Sequence, residues 1–155
     1  MIWPSKERYP GPIVTDLSFG EPASVTPLLR LKVPGGDVLR ALRIDEPSFI
    51  GFGEAYATTI DYGVIKSWRR NLNATANLIV LAGSVRFISS IDGHRFDEYR
   101  ISPEENFLRL TLPAGCWFAF QGLSQRPAVI LNILSCLHDH AQIERKEIDE
   151  FSYIW

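Results

Sequence analysis

The side chains able to move protons or hold a charged ligand are few and fall in three short stretches. His138, Asp139 and His140 form the one constellation with ready acid–base capability, because an imidazole changes charge near neutral pH. On a strand the two histidines would share a face, as a metal site or a proton shuttle requires. They follow the apolar run from Ile130 to Leu137, which reads as a strand end entering a loop, where such histidines are also ordinary surface. Surface residues, an alternative acid–base and a metal site all stay open. Lys66, Arg69 and Arg70 make a basic cluster whose plain reading is a solvated face. Alternation puts Lys66, Trp68 and Arg70 on one side of a strand and Ser67, Arg69 and Asn71 on the other. A guanidinium fork or an amide turned toward a ligand would suit a diphosphate or a keto oxygen. Glu54, Tyr56 and Tyr62 are further candidates for proton transfer, since a desolvated carboxylate can be tuned into a base. Structural hydrogen bonding is the plainer role for Glu54.

Other chemistries are narrowed by what the chain has. It carries three histidines and two cysteines in 155 residues. His94 stands beside a turn glycine and reads as exposed. Cys116 and Cys136 belong to no Cys-x-x-Cys pair, which suggests neither a zinc knuckle nor a disulfide framework, but reduced, partly buried thiols. Sixteen Lys+Arg against eighteen Asp+Glu give a formal net charge of -2, so nucleic acid and membrane are not expected as partners. No apolar leader, membrane-length apolar run, nucleophile elbow, phosphate loop or dinucleotide fingerprint is found. A soluble, cytoplasmic protein is expected.

The elements that must position these side chains are short. At 46% hydrophobic and 22% charged residues, the chain has the balance of one folded domain. Turn chemistry recurs at Pro10-Gly11-Pro12, Gly20-Glu21-Pro22, Pro34-Gly35-Gly36-Asp37, Asp92-Gly93 and Pro113-Ala114-Gly115. Between the turns, segments rich in β-branched and aromatic residues predict strands over Leu28–Val33, Val38–Ile44, Gly53–Thr59, Gly63–Trp68, Ala76–Ala82, Ser84–Ile91, Phe107–Leu112, Trp117–Gln121 and Ala128–Leu134. Gly83 reads as a turn between two of them, and Asp92-Gly93 as a tight hairpin leading into Arg95–Arg100. The charged segment from Glu98 to Asn106 reads as a solvated edge and turn. Nothing of helical length keeps a 3.6-residue period, so the pattern indicates a β-sandwich or barrel. Trp68 and Trp117 read as packing residues.

The stretch Gly63-Val64-Ile65-Lys66-Ser67-Trp68-Arg69-Arg70-Asn71, with Thr75, Asn77, Gly83, the run Leu112–Phe120, Leu131-Asn132 and Tyr153-Ile154-Trp155, resembles the cupins. Within them it resembles the dTDP-4-dehydrorhamnose 3,5-epimerase group. The resemblance spans about residues 35 to 155 and implies an all-β, cupin-type double-stranded jelly-roll barrel. Residues 1–34, which include Trp3, Tyr9 and Phe19, would form an N-terminal arm at a homodimer contact.

What the resemblance implies for chemistry turns on three positions. Metal-binding cupins resemble Gly-x5-His-x-His followed by Pro-x-Gly-x2-His. Counted from Gly63 and Pro113, those histidine positions hold Arg69, Asn71 and Phe118. Arginine offers a metal no lone pair and phenylalanine has no donor atom, so neither the usual metal nor any other cofactor is expected. An epimerase of this group removes a proton beside a keto group, steadies the enolate with a cation and returns a proton from the other face. Its base is the first-motif histidine; Arg69 keeps its proton at working pH and cannot replace it. The tyrosine expected near Asn132 is also missing. The resemblance implies a ligand site built from Lys66, Arg69, Asn71, Asn77, Phe118 and Asn132 for a dTDP- or CDP-linked sugar. Arg69 would stabilise an enolate, and Glu54, Tyr62 or His138 would supply a non-standard base. Placing the protein in deoxysugar or surface-polysaccharide biosynthesis follows from the same likeness. The alternatives are a catalytically silent cupin that binds a sugar nucleotide or a partner enzyme, and a 3,4-ketoisomerase.

Overall fold

The computed structural model describes residues 19–155; the expectations attached to Trp3, Tyr9 and the rest of residues 1–18 lie outside them. The strands are β1 (Ser24–Pro27), β2 (Arg30–Leu31), β3 (Val38–Leu39), β4 (Glu54–Ile60), β5 (Ile65–Asn71), β6 (Ala76–Ala82), β7 (Val85–Ser90), β8 (Asp97–Ile101), β9 (Leu108–Leu112), β10 (Trp117–Gly122), β11 (Ala128–Leu134) and β12 (Ile143–Arg145). One sheet runs β1-β9-β6-β11-β4, a second runs β12-β5-β10-β7-β8, and β2 pairs with β3. The two large sheets face each other; the all-β architecture expected from the turn spacing, and the jelly roll implied by the resemblance, are what is found. Among the described residues no helix is long and apolar enough to cross a membrane.

Alternation builds the space between the sheets. Ala76, Leu78 and Val80 of β6, Leu110 and Leu112 of β9, and Ile130 and Leu134 of β11 meet Phe87 of β7, Ile101 of β8, and Phe118 and Phe120 of β10 in one core. The central strands are also covered on their outer faces, which is why β6 reads as a nearly unbroken apolar run. Behind the first sheet, Arg109 is wholly buried. It donates to the Ala41 carbonyl at 2.7 Å and to Ser48 Oγ at 2.6 Å and pairs with Glu46. This fastens residues 41–48 across β9.

Behind the second sheet lies a smaller aromatic core. Trp68, Ile88, Trp117 and Ala119 are buried there beneath Phe96, Ile148, Phe151, Tyr153 and Trp155. Trp68 stands 5.1 Å from the Phe151 ring, and Tyr153 donates to Glu98 at 2.8 Å. The two tryptophans pack, as their placement on strands suggested.

Local differences from the sequence reading have local causes. β6 and β7 flank Gly83 without pairing, because they enter opposite sheets. Gly83 turns the chain at φ +77°, and a Cβ there would stand 2.8 Å from Ala128 Cα. The tight hairpin expected at Asp92-Gly93 is a longer loop over residues 91–96, since Asp92 Oδ1 accepts from the backbone N–H groups of His94 at 2.8 Å and Arg95 at 2.9 Å. The paired segment is therefore β8, and its Glu98 and Arg100 form an exposed ion pair. Strands expected over Leu28–Val33 and Val38–Ile44 shrink to β2 and β3, whose hairpin is tied by Arg30 and Lys32 on Asp37. β1 and β12 were not foreseen. β1 pairs with β9 and the β2–β3 hairpin straddles residue 34. Both cysteines are free, and burial pushes the Cys116 thiol up to about 11.

Trp68→Ala removes the residue on which the outer aromatic cluster converges. It should cost about 3–5 kcal/mol in urea unfolding and lower Tm by roughly 10 °C. A loss under about 1 kcal/mol would show that this packing does not hold the second sheet.

Candidate functional site

The polar wall of the barrel interior is made by β4, β5 and β11. Along β5 the ladder with β10 is irregular: Phe118 stands opposite Arg69, but Phe120 stands opposite Lys66. Two residues, Ser67 and Trp68, thus face Ala119 alone. Such a bulge breaks strict alternation. Trp68 goes outward into the aromatic cluster, while Lys66 and Arg69 both face Phe120 inside, at 5.8 and 5.5 Å from its ring. Regular alternation had separated these two cations. Arg70 leaves the cluster instead, lying 4.6 Å from the Trp117 ring on the outer face and pairing with Glu144 at 2.6 Å. Alternation beyond the bulge gives Asn71 the face of Arg69.

Arg69 is the electrostatic centre of this wall. Its guanidinium lies 5.2 Å from the Phe118 ring, and its Nε is buried without a hydrogen-bond partner. Among the described residues no carboxylate pairs with it. Burial lowers its pKa, the like charge of Arg145 lowers it further, and nearby Tyr56 acts in the opposite sense. Arg145 is Arg69's register partner on β12. Lys66 is also lowered, first by burial and then by the Arg69 charge, against a smaller opposing effect from Asp61. Its ammonium donates to the Thr59 carbonyl at 3.0 Å.

Opposite, β4 turns Glu54, Tyr56 and Thr58 inward and leaves Ala55, Ala57 and Thr59 exposed. Tyr56 and Asn132 are register partners, and Asn132 Nδ2 donates to the Tyr56 hydroxyl oxygen at 2.8 Å. Asn132 Oδ1 is buried and unpartnered. The segment after β11 folds back over the start of β4. Gly53 permits this: a Cβ there would fall 1.9 Å from the Cys136 carbonyl carbon. Glu54 Oε1 then accepts from the His138 backbone N–H at 2.8 Å, and the His138 ring meets that of Tyr56 nearly edge-on at 6.4 Å. His140 lies 4.7 Å from His138. Asp139 orients neither ring. It caps the short turn His140–Gln142 by accepting from the Ala141 N–H, so the two histidines sit on a loop.

The structure sets Arg69 and Phe118 near the Tyr56–Asn132 pair, with Asn71 on the face of Arg69; Glu54 and His138 lie at the start of β4, and Lys66 lies toward its other end, at Thr59. Two named residues stand elsewhere. Tyr62 is exposed beyond the far end of β4, ~20 Å from Glu54 at about 3.3 Å per residue, where its backbone bridges to Gly122. Asn77 faces away from the interior, with its amide taken up by the Ser48 carbonyl at 3.0 Å and Thr111 Oγ1 at 2.7 Å. Arg145 was missed because nothing in its neighbourhood signals a strand. A cavity of about 510 Å³ lies behind the first sheet, lined by Leu28, Pro47, Arg40 and Arg109; it is separate from the polar wall of β4, β5 and β11, and Arg109 is already bound there.

The arrangement can steady developing negative charge on an oxygen and hold an anionic group at a cation-lined mouth. A metal does not fit. Two of the three positions that ligate metal in metal-binding cupins hold Arg69 and Phe118, which lack a donor lone pair. Among the described residues no three His, Cys, Asp or Glu side chains converge.

No family model matches this sequence, and no curated protein matches it. Solved structures do. A dTDP sugar isomerase from Desulfovibrio desulfuricans G20 is 26% identical, covering 87% of this chain and 91% of its own at a TM-score of 0.81. The sugar 3,4-ketoisomerase QdtA from Thermoanaerobacterium thermosaccharolyticum, in complex with TDP, is 18% identical over 83% of this chain and 93% of its own, with a TM-score of 0.68. The dTDP-4-dehydrorhamnose 3,5-epimerase of Bacillus anthracis, with TDP and PPi bound, is 13% identical over 86% and 84%, with a TM-score of 0.73. The structural neighbours are thus dTDP-sugar isomerases and epimerases, in line with the cupin-like epimerase resemblance of the sequence.

The proximity of Lys66 and Arg69 has a measurable sign. In an NMR titration the Lys66 amine should lose its proton below the ordinary lysine value of about 10.4. Arg69→Met, which removes a like charge, should raise that midpoint. An unchanged or lower midpoint in Arg69→Met would show that the two cations do not share a face.

Proposed function

We propose that this chain binds a nucleoside-diphosphate-linked 4-keto-6-deoxy sugar, dTDP- or CDP-linked, inside the barrel and epimerises it by enolisation without a metal or other cofactor. The observation that carries the reading is Arg69, a cation buried over Phe118 with an unpartnered Nε and no carboxylate. A buried charge of this kind is costly unless something pairs with it. A sugar keto oxygen, and the enolate it becomes, would satisfy that requirement while gaining most from it as charge develops. Lys66, Asn71 and Asn132 would hold the rest of the ligand, and Phe118 the floor beneath it. Glu54 and His138 stand at the mouth as base candidates. The family likeness of the neighbours supports the substrate class.

Two other readings have specific support. No imidazole stands on β5, which favours a silent sugar-nucleotide binder. The 3,4-ketoisomerase among the neighbours favours carbonyl migration. We also infer a homodimer, since among the described residues seven of the twelve exposed large hydrophobics, from Phe19 to Phe52, lie in residues 19–52. Light scattering should give twice the chain mass, and Leu29→Glu should reduce it. A cytoplasmic role in deoxysugar or surface-polysaccharide assembly follows from the substrate class.

The test is solvent-deuterium exchange into dTDP- and CDP-linked 4-keto-6-deoxy sugars. Incorporation at C3 or C5 that Arg69→Ala lowers at least ~100-fold supports the epimerase, matching the cost of removing an oxyanion donor. Movement of the carbonyl supports the ketoisomerase. Binding of dTDP or CDP with no exchange and no migration supports the silent binder.

A further inference from the structure

We propose that Tyr56 is the proton donor of the interior site and that Asn132 is its positioning residue. The inference rests on the enolising reading above and supplies the acid which that reading leaves unassigned. Asn132 donates to the Tyr56 oxygen at 2.8 Å. A phenolic oxygen that accepts one hydrogen bond still has its own proton to give, and the Asn132 contact fixes the direction from which it can be given. Register pairing of the two residues on β4 and β11 makes the contact a property of the sheet and not of a loop.

The surroundings suit the charge that such a step leaves behind. Arg69 and Tyr56 lie close enough for the guanidinium and a phenolate to favour each other. The interior also carries an unpartnered acceptor, Asn132 Oδ1, and an unpartnered donor, Arg69 Nε. Those are the complements of a hydroxyl and a carbonyl, the pair that a hydroxy-ketone sugar presents. The neighbouring candidate Glu54 is engaged by the His138 N–H, and Tyr62 lies at the far end of β4.

In the step, a base has already taken the C–H proton from one face of the sugar. The electron pair of the enolate C=C then forms a new C–H bond with the Tyr56 hydroxyl proton. The O–H pair stays on Tyr56 as phenolate, and the enolate oxygen returns to a carbonyl. The Asn132 amide and the Arg69 charge hold the phenolate until it regains a proton from water.

Tyr56→Phe removes the proton and keeps the ring. With TDP-4-keto-6-deoxyglucose in deuterated water, the parent chain should exchange and invert. Tyr56→Phe should still exchange, because the base can return deuterium to the face it came from, but inversion should fall at least ~100-fold, within the range typical of a general acid. Its Tm and dTDP affinity should stay within about twofold or a few degrees of the parent. Asn132→Ala, whatever it does to KM, should lower the ratio of inversion to exchange about 10-fold, since loss of one orienting hydrogen bond slows the acid step and not the base step. Inversion at the parent rate in Tyr56→Phe would overturn the assignment and leave the enolising reading intact. Loss of dTDP binding or of Tm together with activity would also overturn it, by making Tyr56 a ligand-holding or structural residue. Absence of exchange in the parent would instead overturn the enolising reading.

Discussion

Taking a guanidinium out of water without giving it a carboxylate costs several kcal/mol, on the order of the net stability of a whole domain. Arg69 meets part of that cost: the residue is half-buried and its Nε is wholly enclosed without a partner. Two phenylalanine rings supply part of what water would have given, through the negative faces of their π systems. The remainder is left open toward the polar wall of β4 and β11. Neighbouring positive charge at Lys66 and Arg145 makes the position more demanding, and the anchoring around it is correspondingly firm. A site arranged this way is short of negative charge before anything binds, and that shortage is what gives the interior its chemical direction.

Firmness comes from how β5 is gripped. Its outer side is locked by Trp68 beneath the C-terminal aromatics, and its edges pair with β10 and β12. The opposite wall is held from behind through the Arg109–Glu46 anchor, which ties the first sheet to residues 41–48. The central strands of each sheet are thus covered on both faces, while β4 and β8 keep an exposed side. This is the condition under which a hydrogen bond as small as Asn132 to Tyr56 can fix a direction of proton movement.

Much of the fold was legible because its causes are local. Turn glycines and prolines, β-branched runs and the lack of helical periodicity together indicated a β-sandwich or barrel, and the resemblance carried by the motif around Gly63 to Asn71 narrowed this to a jelly roll and singled out one strand. What escaped depends on register between strands far apart in sequence. Nothing near Tyr56 states that Asn132 lies opposite it, and nothing near Ile143 or Glu144 indicates that their segment brings Arg145 beside Arg69. Asp139 looked like part of an acid–base constellation, whereas its carboxylate closes a turn. Asn77 belongs to the resembling motif, yet β6 is buried on both faces, and sequence alone does not say which face an inward-looking amide would choose.

The bulge at Ser67 and Trp68 carries a consequence for how relatives of this chain should be compared. The placement of Lys66 and Arg69 on one face depends on the ladder between them, not only on which residues stand there. Removing one residue from this interval would restore a regular ladder and keep both cations on the inner face, because positions two apart in a strand share a side; what the bulge does is absorb the extra residue. Alignments that score substitutions column by column would register such a change as a single gap. Two chains that differ by one residue in this interval can therefore present the same two cations to the interior, provided the longer one carries the bulge.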